Sequence, residues 1–125
     1  MLKIIALMKK RPDMSVDQFR SHYETSHVPL ITDLALPFAC GYSRSYLDYD
    51  DPACIFGDGT GVKGIFPAFD VMTQLDFPNR QAMLDYFAAG REPSVKARRV
   101  ADEERFLDRQ KRLILATENI RISEL

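Results

Sequence analysis

Two side chains of this sequence stand where proton chemistry is possible, Tyr23 and His27. Phe19, Tyr23, His27 and Leu30 fall at i, i+4, i+8 and i+11, so on a helix they share one face. Phe19 and Leu30 make that the buried face, and Tyr23 and His27 then point inward from it, flanked by Arg20. Imidazole is the side chain whose unperturbed pKa lies near neutrality, so a histidine in an enclosed pocket can both take and give a proton. A tyrosine hydroxyl can donate a hydrogen bond to an oxygen on which negative charge develops. The same spacing also fits a core histidine bonded to a backbone carbonyl, with the tyrosine as packing. Spacing alone leaves both readings open. His22 falls on a more exposed side of the helix and reads as a surface residue.

Other chemistries find less support. His22 and His27 are five residues apart, not the i, i+4 pair of a helical zinc site, and Cys40 and Cys54 have no paired spacing. Asp48, Asp50, Asp51 and Asp58 lack the bidentate glutamate of a calcium loop. There is no serine nucleophile elbow. Gly59-Thr60-Gly61-Val62-Lys63-Gly64 spells a dinucleotide fingerprint, but Ile65, Phe66 and Pro67 lead from it into a strand rather than a helix. It therefore reads as an insertion between two strands, free to act as a lid. Arg44, inside a strand, could meet an anionic substrate or pair with Asp48 or Asp70. The mixed-sign run from Lys96 to Arg112 reads as a solvated, salt-bridged helix face.

The elements that must position these residues are legible in outline. Residues 2–9 read as a central strand ended by Pro12 and Asp13. Ser15 and Gln18 form a capping box and Met14 and Phe19 a hydrophobic staple, which start a helix at Val16 that runs to about His27. Pro29 breaks or restarts it, with a further turn over 30–36. A strand over 42–49 carries Tyr42, Arg44 and Tyr46 on one face, and a loop spans 50–66. Residues 68–75 form a third strand, with Phe69, Val71, Thr73 and Leu75 toward the helices and Asp70, Met72 and Gln74 away from them. Helices follow over 80–89 and 94–107, then a strand over 113–117.

The order β-α-β-β-α-β is that of the ferredoxin-like fold, an α+β antiparallel sheet with helices on one face. The other sheet face needs a cover that a single domain of 125 residues does not supply, so a homodimer packed sheet against sheet is expected. Seventeen basic and 18 acidic residues leave a net charge of −1, which argues against a phosphate-backbone partner. No apolar run approaches the roughly 18 residues of a membrane span, and no secretory signal is visible. These features predict a cytoplasmic protein with reduced thiols and no nucleic-acid or membrane partner.

Lys9-Lys10-Arg11-Pro12, then Ser15-Val16-Asp17-Gln18-Phe19-Arg20, Tyr23, His27-Val28-Pro29-Leu30 and Gly41-Tyr42 resemble the EthD family, named for ethyl tert-butyl ether degradation. Asp102-Glu103-Glu104-Arg105-Phe106-Leu107 resembles its later acidic-aromatic motif. The resemblance implies a dimeric α+β barrel over residues 1–125, among whose relatives are small cofactor-free enzymes. These isomerise lactones, cyclise or dehydrate polyketides, or oxygenate activated aromatics. It implies His27 as general acid/base and Tyr23 as the group that polarises a carbonyl oxygen. Arg20 or Arg44 would orient a charged group, and Phe19, Tyr42 and Phe69 would line a pocket for a small apolar ligand. Gln74 stands where many relatives carry a carboxylate. The alternative is a non-catalytic dimer that holds an apolar ligand or haem, or an accessory to an oxygenase in ether degradation.

Overall fold

The computed structural model of the chain describes residues 1–61, 64, 68–117 and 120–125. Four strands form one antiparallel sheet: β1 (Leu2–Met8), β2 (Gly41–Tyr46), β3 (Val71–Phe77) and β4 (Leu113–Ala116), in the order β2-β3-β1-β4. Among the described residues, four α-helices complete the fold: α1 (Val16–His22), α2 (Val28–Ala35), α3 (Arg80–Gly90) and α4 (Pro93–Glu104). This is the expected α+β ferredoxin-like arrangement.

Register fixes which side chains meet the helices. Ala6 lies opposite Thr73 on one side and Ile114 on the other, and Tyr42 lies opposite Leu75. The inner face is therefore Ile4, Ala6 and Met8 of β1, Val71, Thr73, Leu75 and Phe77 of β3, Tyr42, Arg44 and Tyr46 of β2, and Ile114 of β4. In β3 the buried and half-buried residues alternate along the whole strand, as a period of two requires. β3 starts and ends later than the pattern suggests, and β2 ends at Tyr46 because Asp48 turns the chain, accepting the Asp50 amide.

The first helix is where sequence and structure differ most. Ser15 and Gln18 form the expected capping box. Between α1 and α2, however, Tyr23–His27 form a π-helical turn, and Val28 N–H bonds back to Tyr23 O. Pro29, with no amide hydrogen, falls just after it and would crowd the carbonyl four residues back in a regular helix. The wide turn removes that conflict, and the helix runs on to Ala35. The buried residues become Phe19, Tyr23, His27, Ile31 and Ala35, a constant step of four. In a regular helix of 3.6 residues per turn, such a stripe drifts by about 40° per step. Underwinding lets it persist, and Ile31 takes the buried place that the spacing assigns to Leu30.

Two apolar clusters fill the space between sheet and helices. One joins Ile4, Ala35, Leu75, Phe77, Met83 and Tyr86, the other Met8, Phe19, Tyr23, Val71, Phe106 and Leu107. The outer sheet face carries Ile5 and Leu7 of β1, Met72 of β3 and Leu113 and Leu115 of β4 in adjoining registers. Leu113 and Leu115 are 45% and 44% exposed.

Candidate functional site

The Phe106 that follows α4 closes the second cluster from below the helices. Its ring packs against Phe19, His22, Tyr23 and His27, at 5.0 Å from His27 and 4.7 Å from His22 between centroids. The last turn of α4 thereby lies against the π turn, and two of its three acidic side chains, Asp102 and Glu103, are buried. The solvated reading of this run is corrected at those two positions: Val95, Arg99, Asp102, Glu103 and Phe106 share one helix face, and Phe106 makes it an inner one.

Asp102 is the hub of a polar cluster. Its Oδ2 accepts the Nδ1–H of His27 at 2.9 Å, and its Oδ1 accepts Ser26 Oγ at 2.6 Å and His22 Nε2 at 3.0 Å. Burial raises the Asp102 pKa, but the hydrogen bonds from Ser26, His27 and His22 outweigh it and hold the carboxyl below its ordinary value. An ionised Asp102 can only accept, so His27 must carry its proton on Nδ1. The other nitrogen, Nε2, has no protein partner among the described residues. Burial also lowers the His27 pKa, against the opposing pull of Asp102, so the ring is neutral at neutral pH. A neutral imidazole with a fixed tautomer and a free Nε2 is a proton acceptor. His22, expected at the surface, is half-buried and forms the outer arm of the cluster.

His27 lines a cavity of about 260 Å³ between sheet and helices. Members of both apolar clusters form its walls, with Ile4, Met8, Ile31, Leu34, Leu75 and Phe87 among them. Tyr23, Thr73 and Tyr42 line it as well, and Arg91, Arg99, Glu103 and Arg112 make a charged border. Tyr23 and Thr73 share a hydrogen bond at 2.5 Å between their oxygens. Tyr23 has no accessible surface, whereas Thr73 keeps 6%. The phenol therefore acts at the cavity through the Thr73 hydroxyl. Burial raises the Tyr23 pKa despite that bond, so the phenol stays protonated. Tyr42 is driven up further by burial and by the Tyr23 phenol, and its buried hydroxyl has no hydrogen-bond partner.

Of the residues singled out in the sequence, the structure brings Tyr23, His27 and Tyr42 to this cavity. The other five lie elsewhere. Phe19 is fully buried in the packing behind Tyr23, and Arg20 stacks over Tyr46 at 5.0 Å. Arg44 pairs with Glu24 through bonds of 2.7 and 3.1 Å and covers the Tyr42 ring, not Asp48 or Asp70. Gln74 faces the opposite side of the sheet, where it accepts Lys3 Nζ at 3.4 Å. Phe69 precedes β3 and is half-buried away from the cavity. The loop over 50–66 turns locally on Asp51 and Asp58, with Gly57 and Gly59 at φ of 61° and 101°. Val62, Lys63, Ile65 and Phe66 of the glycine-rich stretch lie outside the described residues. Asp102 and Thr73 are the site residues that sequence spacing passed over.

The EthD domain matches residues 11–110. A protein of the ethyl tert-butyl ether degradation (EthD) family from Bacillus halodurans is 20% identical, with a TM-score of 0.62 over 96% of this chain and 99% of its own. A protein from Arabidopsis thaliana is 12% identical, with a TM-score of 0.63 over 99% of this chain and 100% of its own. A dimeric ferredoxin-like protein of unknown function from Thermobifida fusca is 14% identical, with a TM-score of 0.53 over 93% of this chain and 88% of its own. A search of the curated proteins finds no match. No helix among the described residues is long and apolar enough to cross a membrane.

Proposed function

The chain belongs to the EthD family, and from that premise we propose that it is a small enzyme, independent of cofactors, that moves a proton on a largely apolar, carbonyl-bearing organic compound. The observation that carries this reading is His27 at the wall of an apolar cavity, its Nδ1 held by Asp102 and its Nε2 without a protein partner. His27 Nε2 takes the proton from the carbon next to the carbonyl. The electron pair moves onto the carbonyl oxygen, and the hydroxyl of Thr73 donates to it. Tyr23 orients the Thr73 hydroxyl. The protonated His27 then returns its proton to a carbon or an oxygen of the same compound, which gives isomerisation, cyclisation or dehydration according to the substrate.

The working unit in this proposal is a homodimer joined through the outer sheet face. That face carries exposed Leu113 and Leu115 beside Ile5, Leu7 and Met72. A neighbour with this fold is described as dimeric.

Hydrogen–deuterium exchange tests the chemistry without the natural substrate. Cyclic ketones, lactones and linear diketones are incubated with the protein in deuterated buffer, and loss of the α-proton signal is followed by NMR. The wild type should accelerate exchange for at least one compound, and His27→Ala should abolish the acceleration, since such a group contributes about 10²–10⁴-fold. Exchange that survives His27→Ala unchanged would remove His27 from the reaction.

A further inference from the structure

The cavity has a polar border that proton abstraction does not use. Glu103, 2% exposed, accepts Arg99 Nη1 at 2.9 Å and Arg112 Nη1 at 2.8 Å. Arg109 Nε stands 3.9 Å from the same carboxylate, buried and without a hydrogen-bond partner. Arg91, in the turn between α3 and α4, borders the same cavity, and none of the described residues pairs with its guanidinium. The nearest carboxylate in sequence, Glu92, is occupied with the amides of Ser94 and Val95 and the Ser94 hydroxyl. One negative charge therefore stands against three arginines of the cavity border, Arg91, Arg99 and Arg112.

Apart from His27 and Thr73, the remaining walls are largely aliphatic and aromatic. An excess of positive charge beside such a low-polarity space disfavours a purely apolar occupant. It strongly favours one with a negative end, because charge attraction strengthens as water is displaced. Guanidinium is also the side chain whose planar fork matches a carboxylate in two parallel hydrogen bonds. Arg99 and Arg112 each use Nη1 on Glu103, which leaves their other N–H groups for a ligand.

We propose that the compound held in this cavity is an organic carboxylate, its apolar body against the sheet and its carboxylate at Arg91, with Arg99 and Arg112 beside it. This inference rests on the cavity being the ligand site, as in the preceding section, and names the class of compound that the site takes. Glu103 then has a defined role. It keeps Arg99 and Arg112 in place and offsets enough of their charge for the cluster to exist in the empty protein.

A matched pair of ligands separates the two claims. Cinnamate and cinnamamide have the same shape and differ in charge, and each is titrated into the wild-type protein by heteronuclear NMR. Cinnamate should bind about tenfold more tightly, as expected of an added charge-assisted pair, with shifts at Ile31, Leu75 and Ile114. Arg91→Gln, at an exposed position without side-chain bonds, should retain its melting temperature and lose most of that preference. Arg91→Glu should reverse it. Equal binding of the two ligands, or a preference untouched by Arg91→Gln and Arg91→Glu, would overturn the carboxylate inference and leave the cavity as a ligand site. No binding of either ligand would overturn the cavity reading and the inference with it.

Discussion

Replacing Asp102 by asparagine perturbs the site at the one atom on which the tautomer of His27 depends. The side chain keeps its shape, but one of its two acceptors becomes a donor. Asp102 takes Ser26 and His22 on Oδ1 and His27 on Oδ2. An asparagine that keeps its oxygen toward Ser26 and His22 turns its NH₂ toward His27 Nδ1. Two donors then face each other unless the imidazole moves its proton to Nε2, and that occupies the nitrogen needed as the base. The flipped amide keeps His27 but turns its NH₂ toward His22 and Ser26, so both of those groups must change from donor to acceptor where the first orientation asks it of His27 alone, and the first should prevail. The stability cost is then about one hydrogen bond to a charged group, roughly 1.5–3 kcal/mol. For a domain of this size that lowers Tm by about 4–12 °C.

Proton transfer should fall by about 10²–10⁴-fold, the whole contribution of a general base. Long-range ¹H–¹⁵N correlation of the imidazole rings reads the tautomer directly and needs no substrate. In the wild type His27 should show a protonated Nδ1 and an unprotonated Nε2, and Asp102→Asn should exchange the two. A wild-type His27 protonated on Nε2, or a variant with an unchanged tautomer, would refute the assignment of Asp102 as the group that prepares the base.

Three further outcomes follow from the same contacts. Burial holds the His27 pKa below the ordinary 6.5, so on acidification the unfolded chain binds the proton first. The contribution of His27 to stability is complete above that pH and is lost as pH falls toward the folded pKa, by up to about 1.4 kcal/mol per pH unit, and denaturant titrations from neutral pH down to about pH 5.5 should show a slope that His27→Gln flattens. Glu103→Gln leaves Arg99 and Arg112 facing each other, and both are about a quarter exposed at 23% and 25%. They can turn to water, so thermal unfolding should register less than the roughly 3–5 kcal/mol of a fully buried broken pair. Leu115→Lys places a charge in the apolar band of the outer sheet face. Light scattering should then report a monomer where the wild type is a dimer, and a wild type that is already monomeric would remove the dimer from the proposal.

Much of the fold could be read from the sequence because its signals are local. Ser15 and Gln18 cap the first helix, and Asn79 caps α3 by accepting the Ala82 amide. The alternation in β3 follows from one buried face. The π turn could not be read this way. Its cause, Pro29, is visible, but a proline within a helix can end it, kink it or be absorbed by a wide turn. Which of these occurs depends on Tyr23 meeting Thr73 of the sheet and His27 meeting Asp102 of α4, a tertiary fact. Tyr23 and His27 were legible as a pair because they share a face in either geometry. Arg44 was not legible as the partner of Glu24, because that pairing joins β2 to the π turn across 20 residues of chain.

Asp102 shows the limit most clearly, and also what lifts it. In a run of alternating charges, composition favours a solvated helix, and that holds for Lys96, Arg98 and Glu104, all exposed. The signal against it for Asp102 and Glu103 is Phe106, one helical turn further along the same face. A large aromatic residue there must be buried, and a helix face buried at Phe106 carries Asp102 and Glu103 in with it. Burial of a carboxylate is costly unless donors await it. Two consecutive acidic residues on that face therefore require two separate sets of donors. His22, Ser26 and His27 answer the first, and Arg99 and Arg112 the second. The π turn has a part in the first of these. By widening the helix at Tyr23–His27, it directs His22, Ser26 and His27, three residues of adjoining turns, at one carboxylate. A single aromatic at the end of α4 thus ties the acidic motif to the histidine of the first helix, although 75 residues separate Asp102 from His27.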